Sequence, residues 1–151
     1  MRERLDPAKL RSRLRQSLAA HPEIDFAYIF GSFAVGMAYR DMEVAVFLRP
    51  APALSTVLDY EMDLSVELTL ALHVDVDVHV LNNAPPGFQH AVLQGRPLLV
   101  RDEERLIDFA KELGPEAMEF AYLDELDLRE VNLGDFEAYL RAISDTIGQP
   151  I

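Results

Sequence analysis

The feature that most restricts the fold is a strict alternation of valines with polar residues between Val74 and Leu81. The intervening positions hold Asp75, Asp77 and His79. Because successive side chains of a strand point to opposite faces, this pattern predicts a strand with one face packed on a core and one polar face. His79 could be a ligand or a base, but we expect it to be an ordinary surface histidine of that polar face, with its hydrogen bonds satisfied.

The rest of the chain alternates between apolar runs and helical patterns. Further strands are predicted at 26–30, 44–48 and 97–100, and helices at 7–20, 54–72, 88–94, 103–113, from Pro115 and from Asp135. Capping roles are predicted for Asp6, Gly95, Asp102 and Gly114. This order predicts an α/β (α+β) domain whose small mixed sheet is covered by helices on one face. We expect residues 1–101 to form its core and residues 102–151 to form a helical C-terminal extension packed on that core.

The charge balance limits the classes of partner. The 151 residues include 26 acidic and 14 basic residues, for a net charge of −12, which disfavours stable binding to long nucleic acid. Such a surface suits a basic protein partner or carboxylates gathered around metal ions. There is no cysteine and no apolar stretch of membrane-spanning length, so we expect a cytoplasmic protein without a membrane segment.

A set of acidic residues carries the candidate chemistry. Gly31 and Ser32 end one predicted strand, Asp41 and Glu43 open the next, and Asp77 lies on the polar face of a third. If the third strand neighbours the second, the three carboxylates converge and require a cation, for which oxygen ligands favour Mg²⁺ or Mn²⁺. Gly31 would let the backbone approach a triphosphate, to which Ser32 offers a hydroxyl and an N–H.

These residues form a recognisable pattern. The segments GSFAVG at 31–36 and DMEVAV at 41–46 resemble the G-S…D-x-D signature of the polymerase-beta-type nucleotidyltransferases. The segments at 77–85, 94–99 and 122–124 are similar to the minimal nucleotidyltransferase (MNT) branch. The resemblance implies a nucleotidyltransferase fold that transfers AMP from ATP to a hydroxyl. It also implies an antitoxin that assembles with a HEPN-domain RNase toxin and modifies a tyrosine of that toxin.

By the same resemblance, Asp41, Glu43 and Asp77 would be the catalytic and metal-binding residues, and Gly31 and Ser32 would bind the nucleotide. The loop at 33–40 is shorter than in the family, and Glu43 replaces the second aspartate. An ungapped register would instead place Glu43 on the first aspartate and Ala45 on the second. Two other functions therefore stay open: a degenerate module that neutralises its partner by binding, and a transferase that acts on a cationic small molecule.

Overall fold

A computed structural model of the protein describes residues 7–31 and 41–122. The elements are α1 (Pro7–Ala19), β1 (Ile24–Phe30), β2 (Asp41–Leu48), α2 (Leu54–Leu72), β3 (Asp75–Val80), α3 (Pro86–Leu93), β4 (Arg96–Val100), α4 (Glu103–Leu113) and α5 (Pro115–Tyr122). The predicted α/β class and order of elements are confirmed. Within these ranges no helix is both long enough and apolar enough to cross a membrane.

The four strands form one mixed sheet in the order β3-β2-β1-β4. Strand β1 is antiparallel to β2 and β4, whereas β2 and β3 are parallel and are connected through α2. Phe30 pairs with Glu43, and Glu43 pairs with Asp77. The third strand is therefore the neighbour of the second, as convergence of the acidic residues requires.

Helices cover both faces of this sheet. On one face, leucines of α1 and α2 pack against the inward valines of β3. On the other face, Phe26, Tyr28 and Ala45 form a second core with residues of α3, α4 and α5. The prediction of helices on one face is therefore wrong for the second half of the chain. The physical reason is β1, which is buried at every position from Ile24 to Ile29 and so needs apolar cover on both sides.

The predicted helix ends are only partly as expected. The Asp102 side chain accepts a hydrogen bond from the Arg105 N–H and caps α4, and Gly114 ends that helix with φ of 123°. In α3, however, the cap is Gln94. Gly95 has a different role, because a Cβ there would collide with the carbonyl oxygen of Ile29. The predicted Asp6 cap, the loop at 33–40 and the helix from Asp135 lie outside the described residues.

Side chains of α2 accept hydrogen bonds from the backbone N–H groups on the outer edge of β3. Three backbone N–H groups of β3 donate to α2: Val76 to Thr69 Oγ1 at 3.0 Å, Val78 to Ser65 Oγ at 2.9 Å and Val80 to Glu61 Oε2 at 2.8 Å. Four helical residues rise about 6 Å, and two strand residues rise about 6.6 Å. The two spacings therefore match, and α2 occupies the hydrogen-bonding edge that a neighbouring strand would otherwise use.

We predict that Ser65→Ala lowers the free energy of unfolding by about 1–2 kcal/mol, because the Val78 N–H loses its acceptor in a partly buried place. Urea denaturation measures the change. Ser55→Ala, at an exposed position of the same helix, is the control and should change stability by less than about 0.5 kcal/mol. Equal stability of the two variants would contradict a role for the α2 side chains at this edge.

His21 ties the turn after α1 to α2. Its Nδ1 lies 3.2 Å from Glu23 Oε2, and its Nε2 lies 2.7 Å from Glu67 Oε2. Tyr60 donates to the same Glu23 oxygen at 2.7 Å. Burial on its own would lower the pKa of His21, but the two carboxylates outweigh it and raise that pKa above 6.5.

This raised pKa makes stability depend on pH. The protonated ring stabilises the fold fully below the unfolded-state pKa of 6.5, and this contribution is lost as pH rises through the higher folded-state pKa. We therefore expect His21→Gln to destabilise the protein more at about pH 5.5 than at about pH 8.5. Urea denaturation of both proteins at the two pH values gives the difference. If His21→Gln lowers the free energy of unfolding by the same amount at both pH values, protonated His21 does not stabilise the fold.

Candidate functional site

Three polar side chains meet where β2 and β3 run side by side. Glu43, Asp77 and His79 each offer one ligand atom, and these atoms all lie within 4.8 Å of one another. Glu43 Oε1 is 3.8 Å from His79 Nε2, and these side chains are 43% and 36% exposed. Asp77 is exposed. The parallel register brings this set together, because it pairs Glu43 with Asp77 and places His79 two residues further along the same face.

His79 is more constrained than the sequence suggested. Its ring lies 5.7 Å from the ring of Phe30 and 5.5 Å from that of Phe88, measured between centroids. Its Nε2 is shielded from solvent and has no hydrogen-bond partner among the described residues. The expectation of an ordinary surface histidine is therefore wrong. The alternation that places Asp77 and His79 on one face was the sequence signal that could have linked them.

Gly31 borders the cluster at the end of β1. Its φ is +80°, in the region that glycine adopts readily and other residues rarely do. A Cβ at this position would lie 2.8 Å from Glu43 Oε2. The backbone conformation therefore favours glycine here, and a side chain at this position would also make the Glu43 carboxylate shift.

The structure brings together some of the residues that the sequence singled out. Glu43 and Asp77 are adjacent, and Gly31 adjoins Glu43. Asp41 opens β2 with its backbone paired to Asp75, but its side chain is outside the description, and so is Ser32. His79 joins Glu43 and Asp77, although the sequence favoured a surface histidine at this position.

The chemistry of the cluster fits a divalent cation. Two neighbouring carboxylates repel each other, and a cation between them would relieve that repulsion. Carboxylate oxygens suit Mg²⁺ and Mn²⁺, whereas an imidazole nitrogen adds a donor that transition metals accept more readily. The unpartnered Nε2 of His79, directed toward Glu43, is the observation that makes this donor available.

Comparisons with known proteins identify the family and the fold. The family model described as "Polymerase beta, Nucleotidyltransferase" matches residues 12–104. A solved complex of tri-AMPylated Shewanella oneidensis HEPN toxin with MNT antitoxin includes a chain that is 18% identical, with a TM-score of 0.54 and coverage of 95% of this chain and 99% of that chain. A toxin–antitoxin structure with AMP-PNP is 20% identical, with a TM-score of 0.51 and 95% coverage of both chains.

The structure of the MntA-HepT toxin–antitoxin is 17% identical, with a TM-score of 0.51 and coverage of 92% of this chain and 93% of that chain. No curated protein sequence matches the chain. At these identities the structural likeness establishes a shared fold. Since the family model spans more than half of the 151 residues, this protein belongs to the polymerase beta nucleotidyltransferase family and has the fold seen in complexes of MNT antitoxins.

Proposed function

We propose that this protein is an MNT-type antitoxin that transfers AMP from ATP to a tyrosine hydroxyl of a HEPN-domain toxin. The observation that carries the proposal is the convergence of Glu43, Asp77 and His79 on paired strands of a nucleotidyltransferase fold. Two structures of the same fold support it, one containing a tri-AMPylated HEPN toxin and one containing AMP-PNP.

The residue roles follow from donor type and position. Asp41, Glu43 and Asp77 would hold Mg²⁺ or Mn²⁺, and Gly31 and Ser32 would bind the triphosphate. When bound, the cation neutralises charge on the triphosphate and on the departing pyrophosphate. His79 adds a nitrogen donor beside Glu43 and is kept in place by its contacts with Phe30 and Phe88.

In this proposal Asp77 acts on the acceptor hydroxyl. Its carboxylate is exposed, so an incoming hydroxyl can reach it without any rearrangement of the sheet. In the proposed step the hydroxyl oxygen forms a bond to the α-phosphorus, the bond between the α- and β-phosphates breaks, and Asp77 accepts the hydroxyl proton. AMP remains on the acceptor and pyrophosphate leaves.

One observation favours a second candidate, a degenerate module that inhibits its partner by binding alone. Glu43 Oε2 lies against Gly31, where a triphosphate would have to approach the backbone. A carboxylate at this place repels phosphate unless a cation lies between them. The two candidates therefore differ in metal-dependent ATP affinity, which is high for an active site and negligible for a degenerate one.

Substitution of Asp77 tests the proposed chemistry. We expect Asp77→Asn to reduce AMP transfer by at least about 100-fold, because the amide cannot accept the hydroxyl proton and is a poor metal ligand. The measurement is the intact mass of the HEPN-domain protein of the same genome after incubation with ATP and Mg²⁺. Asp108→Asn, at an exposed position of α4, is the control and should leave transfer unchanged. An unmodified partner in a stable complex with the wild-type protein would favour the binding module instead.

Gly31 gives an independent test, because a methyl group there would displace the Glu43 carboxylate. We expect Gly31→Ala to lower stability by about 1–2 kcal/mol through its positive φ, and to reduce AMP transfer at temperatures where the variant is fully folded. Gly87→Ala is the matched control, since a Cβ there meets nothing within 4 Å and alanine favours the helix. Full stability of Gly31→Ala would contradict the strained backbone conformation of Gly31, and full transfer would show that the position of the Glu43 carboxylate beside Gly31 is not needed for the reaction.

A further inference from the structure

Helix α2 exposes a continuous row of large apolar side chains. These side chains recur every four residues and are each between 57% and 74% exposed: Leu54, Leu58, Met62, Val66 and Leu70. We call this row the α2 ridge. The core-facing side of the same helix already buries Leu64, Leu68 and Leu72. An amphipathic surface helix would carry polar residues at the ridge positions, and contiguous apolar patches of several hundred Å² mark interaction sites.

We propose that the α2 ridge is the docking surface for the protein that supplies the acceptor hydroxyl, and that this partner presents an apolar helix face flanked by Lys or Arg. The proposal rests on the proposed function for the identity of the acceptor. It goes further in assigning the surface and the chemistry of the partner.

Open grooves beside the ridge reach two residues of the candidate site. One open groove is lined by Leu54 of the ridge together with His79. A second groove is lined by Val66 and Leu70 of the ridge together with Asp77. The first groove lies between the start of α2 and the segment from His79 to Phe88, and the second lies between the end of α2 and the start of β3. A protein that covers the whole ridge would therefore border both site residues. This position suits a hydroxyl carried by a docked protein better than one carried by a freely diffusing small molecule.

Charge determines the kind of partner. Helix α2 contains four acidic residues and no basic residue. Glu61 accepts a hydrogen bond from Val80 N–H and Glu67 contacts His21, whereas Asp59 and Asp63 are exposed beside the ridge. Oppositely charged side chains at the rim of an interface favour association and exclude like-charged partners. The rim of the ridge therefore favours a basic partner.

A second copy of this chain is a poor occupant for the same reason. Docking two ridges against each other would bring Asp59 and Asp63 of both copies to one seam, in a protein whose net charge is −12. A helix with apolar residues at matching intervals can instead lay its own ridge into the spaces between these side chains. Lys or Arg on the flank of that helix would then meet Asp59 and Asp63.

The test compares Met62→Glu, in the middle of the ridge, with Ala71→Glu, which adds the same charge to an exposed position of α2 off the ridge. Calorimetry without nucleotide measures the affinity of each full-length variant for the HEPN-domain protein of the same genome. We expect Met62→Glu to weaken binding at least about tenfold, which is the effect of losing a well-buried interface residue. We expect Ala71→Glu to change the affinity less than about twofold. Unchanged thermal unfolding of Met62→Glu shows that the variant is folded.

Several results would overturn the proposal. Wild-type affinity in Met62→Glu would do so, as would the absence of any binding by the wild-type protein. Self-association of the wild-type protein that Met62→Glu abolishes, with partner binding intact, would assign the ridge to a second copy. An increase in affinity in the double variant Asp59→Asn/Asp63→Asn would exclude a basic rim on the partner.

The docking proposal and the AMP-transfer proposal can be contradicted independently of each other. If the wild-type protein binds the partner through the ridge but never increases its mass with ATP and Mg²⁺, the docking surface stands and the transfer proposal fails. If Met62→Glu still modifies the partner at the wild-type rate, transfer stands and the docking surface fails.

Discussion

The pairing of β3 with β2, secured from outside by α2, is the interaction on which the rest of the structure depends. Strand β3 lies at the edge of the sheet, and its outward N–H groups would be open to any other strand. Side chains of Glu61, Ser65 and Thr69 accept those N–H groups instead. A strand held on both edges keeps its register, and that register brings Asp77 beside Glu43.

The site also depends on where β1 ends. Gly31 follows the last residue of β1, and its lack of a side chain leaves room for the carboxylate of Glu43 on the neighbouring strand. Glu43 can therefore extend toward His79, which Phe30 and Phe88 hold in place. The family resemblance expects an aspartate at position 43. The longer glutamate fits there because Gly31 leaves space for its carboxylate. An active enzyme would hold a cation in that space, whereas a binding module needs none.

The sequence predicted those parts of the fold that local pattern determines. The alternation in β3 identified its two faces, the bounds of α2 were as expected, and Asp102 and Gly114 were recognised as caps of α4. Contacts between distant segments were not predictable in the same way. Cover on both faces of the sheet, the packing of Gly95 against Ile29 and the position of His79 between Phe30 and Phe88 all depend on residues brought together by the fold.

Helix α2 connects the stability of the fold with the proposed function. Its leucines at 64, 68 and 72 must face the core, and its acceptors at 61, 65 and 69 must face β3. These two requirements set the rotation of the helix about its axis. The α2 ridge, whose four-residue spacing winds gradually around the helix, is exposed along its length. Exposed apolar side chains gain little from burial in the isolated domain, and they would gain more under a partner that covers them. Because the same helix holds β3 in register, a partner bound there contacts the element that positions Asp77.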